Sequence, residues 1–361
     1  MERTKVVIGM SGGVDSSVAA WLLKEQGYEV LGVTMLHWGE GAADSASDFV
    51  QDAKRMAESI GIEHYVLDFR KEFRDCVMKH FAQEYQRGRT PNPCVLCNRS
   101  VKWEALLKRC RDLGAEYVAT GHYAQVKQLP NGRFTIQVSA TGEKDQTYAL
   151  YRLTQEQLAH TLMPIGTYSK QEVRELAAKV GLMVADKPDS QEICFIPDHD
   201  HAKFIQEFTG KTMPEGNFVT KDGTILGRHS GITNYTIGQR RGLHIAEGHR
   251  VFVTEIRPES NEVVIGESED LFTRQLVCDE VNWMAIDGLY GKLENFMRVR
   301  AKIRYAHKGA MCSIREVEEG VVVCEFDEAQ RAITAGQAVV FYQDDYVVGG
   351  GTIRHSGPFT R

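Results

Sequence analysis

The chain has 361 residues, of which 42% are apolar and 25% charged, and its 43 Lys and Arg against 49 Asp and Glu give a net charge of −6. This length predicts two or three domains, and the apolar content excludes disorder as the main state. No stretch approaches the roughly 18 apolar residues of a membrane helix, and residues 1–5 do not begin a signal peptide, so we expect a cytoplasmic protein without membrane contacts. The negative charge argues against a DNA coat but allows a local basic surface.

Strand-like and helix-like segments alternate through the first 120 residues. Short apolar runs predict strands, and apolar residues spaced three and four apart predict helices. The predicted strands are 5–10, 29–35, 64–68 and 117–120, and the predicted helices are 16–26, 45–60, 71–86 and 102–112. Strands separated by helices indicate a parallel sheet covered on both faces, hence an α/β domain.

The pattern changes after Gly121. Residues 125–139 predict a hairpin, and Ser169-x-x-Glu172 predicts a capping box that opens a helix running toward Gly181. From about Gly216 the alternation is almost wholly β, with runs at 224–226, 251–256, 262–265, 299–303, 321–326 and 338–342. This half is expected to hold a small β-rich module followed by a barrel or a sandwich.

A serine- and glycine-rich string, Ser-Gly-Gly-Val-Asp-Ser-Ser, occupies 11–17 between the first predicted strand and helix. Two glycines let the backbone approach an anion, and a helix N-terminus offers free N–H groups and the positive end of a dipole. No Lys-Ser/Thr pair follows, so the string is not a Walker A loop. Because Asp15 would repel phosphate, we expect it to act through Mg²⁺. An ordinary strand-to-helix turn is the alternative, which the full pattern disfavours.

This string resembles the pyrophosphatase-type loop (PP-loop) of the adenine-nucleotide α-hydrolases. The resemblance implies that ATP is split between its α and β phosphates and that an oxygen of the substrate is adenylated. A carboxylate, a urea-like carbonyl and an RNA base all remain open as substrates on this motif alone. Ligands of open α/β sheets lie beyond the carboxyl ends of the strands. The expected ATP-binding residues are Gly9, Met10, Ser11, Gly12, Gly13, Val14, Asp15, Ser16, Ser17, Met35 and Gly121.

The eight cysteines are too sparse for a disulfide scaffold. Four of them lie in apolar helix or strand patterns, and we interpret them as buried and inert: Cys110, Cys278, Cys312 and Cys324. Cys94 and Cys97 belong to 90–98, TPNPCVLCN, whose two prolines predict a loop between helices. Cys97 would then directly precede a helix whose N-terminal dipole favours the thiolate.

A further cysteine, Cys194, lies far along the chain in the string DSQEICFI. Two thiols that meet over one substrate permit sulfur transfer, since one can carry a persulfide and the other can close a disulfide that releases the sulfur. A buried small hydrophobe is the competing interpretation for Cys194, because Ile193 and Phe195 flank it.

Six strings occur in an order similar to that of the tRNA 2-thiouridylase family: SGGVDSS, TPNPCVLCN, ATGHYA, GEKDQTY, DSQEICFI and GITNYTIGQRRGL. The resemblance covers essentially the whole chain. It implies an α/β, adenine-nucleotide α-hydrolase-like (PP-loop) catalytic domain with a parallel sheet over 1–205. A small β-rich central domain over 206–270 and a C-terminal β-barrel over 271–361 would follow.

The resemblance also implies a reaction on tRNA. ATP, with Mg²⁺, would adenylate the C2 oxygen of the wobble uridine at position 34. Cys194 would carry the persulfide and Cys97 would act as nucleophile, and the products would be 2-thiouridine, AMP and pyrophosphate. The implied partners are the tRNAs for Lys, Glu and Gln and a cysteine desulfurase or sulfur-relay protein. Asn92, Pro93 and Cys94 would contact the target base. The implied tRNA-binding residues are His122, Lys144, Asp145, Gln146, Arg304, Tyr305 and Gln337.

One position departs from the family pattern, because Cys94 stands where Asp occurs in a D-x-x-C motif. The acid–base role of that Asp is therefore left open here. Cys94, Cys97 and Cys194 would also supply three thiolates, enough for an iron–sulfur cluster with one open iron. We favour the persulfide route over the cluster, and we expect no resident metal beyond Mg²⁺ arriving with ATP. A PP-loop ligase or amidotransferase acting on a small molecule is the alternative in another class.

A basic stretch lies in the predicted barrel. Strand alternation places Arg298, Arg300, Lys302 and Arg304 on one face. Residues 292–308 hold six Lys or Arg against one acidic residue. A solvated strand face is the simpler interpretation, but this concentration of positive charge in an acidic chain favours a surface for the phosphate backbone.

Overall fold

The computed structural model describes residues 3–39, 48–142, 144–182, 193–245, 248–293 and 295–359. The α/β alternation predicted for the first 120 residues is confirmed, except that 45–47 of the second predicted helix lie outside the described residues. The strands are β1 (Lys5–Gly9), β2 (Glu29–Leu36), β3 (Glu63–Asp68) and β4 (Tyr117–Ala119). The helices are α1 (Val14–Glu25), α2 (Asp48–Ile60), α3 (Arg70–Phe73), α4 (Lys79–Gln86), α5 (Pro93–Leu96) and α6 (Leu106–Asp112).

Two of these helical runs contain π-helical segments. Arg74–Met78 joins α3 to α4, and Cys97–Ala105 joins α5 to α6. Wider π-helical turns occur often at functional sites. The segment Cys97–Ala105 is the longer of the two and carries Cys97 as its first residue.

The strands of the first domain form a parallel sheet in the order β3-β2-β1-β4-β7, where β7 is Thr161–Leu162. Helices cover both faces of the central strand: Val6 and Ile8 pack toward one group of helices, and Val7 packs toward the other. Strand alternation produces this division. Because all strands run the same way, their carboxyl ends meet at one edge, where the glycine-rich loop of residues 11–17 lies.

The remaining α-helices of the described residues are α7 (Gln155–Ala159), α8 (Lys170–Lys179) and α9 (His201–Thr209). The capping box predicted for α8 is confirmed: Glu172 N donates to Ser169 Oγ at 3.1 Å, and Ser169 N donates to Glu172 Oε2 at 2.7 Å. These bonds satisfy two N–H groups that a helix start leaves free. They fix where α8 begins and therefore where Lys170, its first residue, lies.

The predicted hairpin forms as β5 (Ala124–Gln128) and β6 (Phe134–Val138), but its sheet partner was not foreseen. β6 pairs with β17 (Tyr346–Ser356) of the C-terminal half, and Val138 N donates to Asp345 O at 2.7 Å. Asn131 Nδ2 also donates to Ala285 O at 2.9 Å. The hairpin thus ties the α/β domain to the C-terminal sheet.

The β-rich character predicted after Gly216 is confirmed. The central module contains β8 (Gly216–Val219), β9 (Ile225–His229), β10 (Phe252–Arg257) and β11 (Glu262–Gly266), in the order β10-β11-β8-β9. Its own core includes Phe218, Val253 and Val263.

The C-terminal strands close into a barrel, which resolves the choice between barrel and sandwich. They are β12 (Phe272–Trp283), β13 (Phe296–Lys302), β14 (Ala310–Glu318), β15 (Val321–Arg331), β16 (Ala338–Gln343) and β17. Their order is β12-β15-β14-β13-β16-β17, and β17 pairs back onto β12. The four cysteines interpreted as inert, Cys110, Cys278, Cys312 and Cys324, are all buried as predicted. Among the described residues, no helix combines the length and apolarity that a membrane crossing needs.

Candidate active site

The glycine-rich loop runs from the end of β1 to the start of α1 at Val14. Gly12 has φ +71°, and a Cβ atom there would lie 2.7 Å from the carbonyl oxygen of Phe49 in α2. Only glycine fits this left-handed, crowded position. The Val14 side chain is buried in the core, so Val14 can offer only its backbone to a ligand.

Three serine side chains hold the loop in shape. Ser16 Oγ and Ser17 Oγ donate to the carbonyl oxygen of Gly13 at 3.2 and 2.9 Å, and Ser11 N donates to Ser16 Oγ at 3.3 Å. Gly13 precedes α1 with extended backbone and without a side-chain cap. The loop is therefore already formed around the free N–H groups of a helix N-terminus, an arrangement that suits phosphate.

Asp15 is held by two residues that sequence reasoning did not identify. Lys170 Nζ donates to both carboxylate oxygens of Asp15 at 2.8 Å, and Tyr123 Oη donates to Oδ1 at 2.7 Å. Asp15 was expected to hold Mg²⁺, but the ammonium group of Lys170 occupies the position at its carboxylate that a metal ion would take. A metal ion would have to arrive with the phosphates and exchange with Lys170.

Gly121 closes the pocket on the side of β4. A Cβ atom at Gly121 would lie 2.7 Å from the carbonyl carbon of Asp15 and from the amide nitrogen of Ser16. On the other side, Met10 N donates to Val33 O, and Thr34 Oγ1 donates to Met10 O at 2.9 Å. The expected ATP-binding positions therefore lie together at the carboxyl edge of the sheet.

Met35 lies at the same edge, on β2. Its Cε atom would be 3.8 Å from a Cβ atom built on Gly9, so the two positions face each other. His37 Nδ1 is 2.9 Å from the Met35 carbonyl oxygen, which extends the edge beyond β2. Burial lowers the pKa of His37, so its ring is neutral near pH 7.

Cys94 and Cys97 lie in a helix, and the predicted loop over 90–98 is wrong beyond Asn92. Pro93 is the first residue of α5, where a missing N–H costs nothing, and Asn92 Oδ1 accepts from Cys94 N at 3.1 Å as the helix cap. Cys97 is thus not at a helix N-terminus. Burial raises the pKa of its thiol to about 11, which corrects the expectation of a dipole-stabilised thiolate.

Cys194 comes to the same neighbourhood from a distant part of the chain. Packing around it raises the pKa of its thiol to about 12, and the charges of Cys97 and Cys94 contribute to the rise. The Cys194 side chain is exposed, whereas Phe195 is buried against Phe73 and Phe81 with ring centroids 5.5 and 5.4 Å apart. Cys194 is therefore not the buried hydrophobe of the competing interpretation.

An iron–sulfur cluster at this site would use the thiols of Cys94, Cys97 and Cys194 as its ligands. Among the described residues, no group of three His, Cys, Asp or Glu side chains is arranged to hold a metal ion. Cys94 and Cys194 are exposed and Cys97 is half-buried. The thiols share a neighbourhood without forming a ready-made coordination shell.

The residues expected at the target base have different environments. Cys94 is exposed, Asn92 is half-buried and caps α5, and Pro93 is buried. The carbonyl oxygen of the preceding Thr90 accepts from Gln337 Nε2 at 2.8 Å, and Thr90 N donates to Ala335 O at 2.8 Å. These two hydrogen bonds thus attach the residue that precedes this segment to the C-terminal β domain.

The expected tRNA-binding residues come from two domains. Arg304 and Tyr305 are exposed on the barrel, and His122, Lys144, Asp145 and Gln146 are half-buried on the α/β domain. Lys302 Nζ lies 3.6 Å from Asp145 Oδ2, which joins the two groups. Burial raises the pKa of Tyr305, and the charges of Asp145 and Cys94 add to this rise, so Tyr305 lies in the neighbourhood of Cys94. Burial lowers the pKa of His122 to about 3.

The predicted alternation of β13 is confirmed for three of its four basic residues. Arg298, Arg300 and Lys302 face outward between the buried Val299 and Ala301. Arg304 lies beyond the end of the strand. Two of these basic side chains already form ion pairs: Arg298 pairs with Asp327 at 2.7 Å, and Lys302 pairs with Asp145.

Comparison with known proteins identifies the family. The chain matches the models described as tRNA methyl transferase HUP domain over 4–198, tRNA methyl transferase PRC-barrel domain over 202–267 and aminomethyltransferase beta-barrel domain over 273–353. A tRNA-specific 2-thiouridylase MnmA from Lachnoclostridium phytofermentans is 58% identical over 97% of this chain and 99% of its own length. The chain belongs to the tRNA-specific 2-thiouridylase (MnmA) family.

Other members of the MnmA family are similar at comparable levels. The protein of that name from Clostridioides difficile is 52% identical over 98% of both chains. Among solved structures, a 4-thiouridine synthetase–RNA complex with bound ATP is 19% identical and covers 57% of this chain and 50% of its own, with a TM-score of 0.33. A likeness that low carries no weight beside the family assignment.

Proposed function

We propose that this protein is an ATP-dependent tRNA sulfurtransferase that converts the wobble uridine at position 34 to 2-thiouridine. The observation that carries the proposal is that Cys97 and Ile193 pack against the apolar cluster that contains Phe195, so that Cys194, 97 residues away in the chain, comes into the neighbourhood of Cys97. The names of the related proteins support tRNA as the class of substrate. Persulfide chemistry needs two thiols in reach of one carbon, and a nucleotide-activated carbonyl supplies that carbon.

ATP would lie across the loop formed by Gly9, Met10, Ser11, Gly12, Gly13, Val14, Asp15, Ser16 and Ser17, with Met35 and Gly121 on either side. The free N–H groups at the start of α1 would receive phosphate oxygens. Lys170 would add a positive charge when its bond to Asp15 opens, and Asp15 would then be free for Mg²⁺. Mg²⁺ would neutralise phosphate charge, and the enzyme's own residues would orient the α-phosphate toward the uridine oxygen.

Adenylation places AMP on the C2 oxygen and releases pyrophosphate. The terminal sulfur of a Cys194 persulfide attacks C2, and AMP leaves with that oxygen. The Cys97 thiolate then attacks the Cys194 sulfur, so that the outer sulfur stays on C2 as the thiocarbonyl and a Cys97–Cys194 disulfide forms. A thiol reductant must reduce the disulfide before the next turnover.

The substrate surface would combine His122, Lys144, Asp145, Gln146, Arg304, Tyr305 and Gln337, with Asn92, Pro93 and Cys94 at the target base. An anticodon loop presents unstacked bases, so extruding one uridine costs little. We propose the tRNAs for Lys, Glu and Gln as acceptors and a cysteine desulfurase or relay carrier as sulfur source.

The decisive experiment is nucleoside mass spectrometry of tRNA incubated with the protein, ATP, Mg²⁺ and a persulfide donor. We expect 2-thiouridine together with AMP in equal amounts. Cys97→Ser and Cys194→Ser should each abolish thiolation and retain adenylation, measured as pyrophosphate release. Full thiolation by either variant would remove that cysteine from the reaction.

A matched control is available in Cys76, an exposed cysteine on the π-helical segment Arg74–Met78. Cys76→Ser should thiolate tRNA at the wild-type rate. Anaerobic purification with iron and acid-labile sulfide assays tests the cluster route, and absence of both iron and sulfide after anaerobic reconstitution would exclude that route. AMP formation with a small-molecule amine or carboxylate and none with tRNA would instead indicate a ligase.

A further inference from the structure

Lys102 is a partly buried cation that the proposed steps do not use. It lies in the π-helical segment Cys97–Ala105, and its side chain has no ion pair or hydrogen bond among the residues that the structure describes. Removing a charged ammonium group from water costs free energy unless an anion compensates. An anion that forms near Lys102 during the reaction would therefore be compensated by its charge.

The π-helix brings Lys102 to the same face as Cys97. Residues five apart in an α-helix point about 140° away from each other, because each residue turns about 100°. In a π-helix the N–H of residue i+5 bonds to the carbonyl of residue i, so residues five apart lie on the same side of the helix, roughly 50° apart around its axis. Cys97 and Lys102 are separated by five positions and bound this segment's first wide turn.

The charge of Lys102 reaches both proposed thiols. It lowers the pKa of Cys97 and of Cys194 against the larger opposing effect of burial. It also lowers the pKa values of His37 and His122, whose rings burial has already made neutral. Lys102 is thus the cation, within the described part of the chain, that acts on both sulfur atoms.

Two charged residues on the adjoining π-helical segment, Asp75 and Arg74, interact with partners other than the thiols. On the adjoining π-helical segment, Asp75 pairs with Lys79 at 3.2 Å and with Lys71 at 3.7 Å. Arg74 lies 5.8 Å from the ring of Phe208. Among the described residues, the thiols of Cys94 and Cys194 are the other ionisable groups near Cys97, and a thiolate on either would oppose ionisation of Cys97.

We propose that Lys102 is a positioning residue that stabilises the anionic sulfurs of this site: the Cys97 thiolate and the terminal sulfur of a Cys194 persulfide. The proton of Cys97 passes to solvent or buffer, and the thiolate that remains gains the ammonium group as its counter-ion. The part concerning Cys97 stands without the proposed function, whereas the part concerning the persulfide rests on it.

The test is the pH dependence of Cys97 alkylation by iodoacetamide in the full-length protein, without tRNA. Pulse labelling followed by digestion and fragment-ion mass spectrometry resolves Cys97 from Cys94, which share one tryptic peptide, 90–99. Lys102→Met should slow Cys97 alkylation about tenfold at pH 8 and move its profile to higher pH, because an adjacent opposite charge shifts a pKa by one or more units. Lys102→Arg should restore the rate to within a few-fold of wild type.

Lys108→Met, at an exposed lysine on α6, is the matched control and should leave the profile unchanged. A Lys102→Met protein with a wild-type Cys97 profile would overturn the inference, and so would a loss that Lys102→Arg fails to rescue. Weaker ATP binding with unchanged alkylation would assign Lys102 to the nucleotide instead. Thermal melting and ATP titration identify a variant that has not folded, and the arginine variant then carries the test.

Single-turnover thiolation with persulfide-loaded protein addresses the second sulfur. Lys102→Met should reduce its rate about tenfold, with less effect as pH rises. If wild-type protein forms no 2-thiouridine, the proposed function fails, and the alkylation result still decides the role of Lys102 at Cys97. If wild type is active and Lys102→Met is equally active at every pH, the persulfide part of the inference fails alone.

Discussion

The Nζ atom of Lys170 lies 2.8 Å from each carboxylate oxygen of Asp15, although 155 residues separate the two in the chain. Only 11% of the Lys170 side chain is exposed, so this pair is largely removed from water. Lys170 is the first residue of α8, whose capping box fixes the start of that helix. The side chain of Lys170, from α8, therefore places a positive charge at the glycine-rich loop that leads into α1.

Replacing Lys170 with Met should weaken ATP binding. The Asp15 carboxylate would lose its compensating charge and would repel the phosphates, and the loop would lose a donor for them. We expect the dissociation constant of ATP to rise about tenfold or more, since a hydrogen bond to a charged group is worth about 1.5–3 kcal/mol. Calorimetric titration measures this, with Lys179→Met at the exposed end of α8 as control. An unchanged affinity would show that the pair is only structural.

Gly121→Ala should damage the nucleotide pocket through backbone contact. Its Cβ atom would lie 2.7 Å from backbone atoms of Asp15 and Ser16, which cannot rotate away as a side chain could. Overpacking of this kind costs about 1–3 kcal/mol of folding free energy, and the shift of α1 should weaken ATP binding as well. Gly227→Ala, where the nearest atom is 4.0 Å away, is the control for thermal melting and ATP titration. Equal effects of the two substitutions would contradict the prediction.

His122 should make the fold sensitive to acid. Its pKa falls from an ordinary value of 6.5 to about 3, so between these values the unfolded chain binds a proton that the folded chain does not. Stability is therefore full above about pH 6.5 and is lost as pH falls toward 3. The ring is partly exposed, so we expect a loss on the order of 2 kcal/mol rather than the full linkage value.

His122→Gln should remove that part of the acid sensitivity while retaining a hydrogen-bonding group for Thr120 Oγ1, which lies 2.9 Å from His122 Nδ1. Denaturation midpoints at pH 7.5 and 5.0 measure the difference, with His355→Gln on the exposed end of β17 as comparison. A variant as acid-sensitive as wild type would assign the sensitivity to other groups.

Charge reversal on β13 should weaken tRNA binding without affecting ATP. Arg300 and Lys302 face outward near the domain junction, and the double variant Arg300→Glu/Lys302→Glu removes two positive charges and adds two negative ones. We expect lower affinity and a shallower dependence of log affinity on log salt concentration, since each phosphate contact contributes about one unit of slope. Lys179→Glu is the control in filter binding. Unchanged affinity at moderate salt would exclude this surface.

Local sequence patterns were enough for the elements of the α/β domain and for the capping box of α8. Both depend on residues a few positions apart, because strand and helix periodicity and the Ser169–Glu172 bonds are local. The same locality explains the failure at 90–98. The two prolines correctly excluded a helix interior, but Pro93 is tolerated as the first residue of α5.

The sequence by itself determined the α/β order, the glycine-rich loop and the chemical identity of the thiols, because composition and spacing carry that information. Tertiary structure alone decided that Lys170 meets Asp15, that the residues flanking Cys194 pack at the same apolar cluster as Cys97, and that the hairpin β5–β6 joins the barrel sheet. Each of these contacts spans on the order of a hundred residues or more, and packing, not local periodicity, selects the partner. The position of Lys102 is intermediate: it lies only five residues from Cys97, yet a π-helical turn had to form before they shared a face.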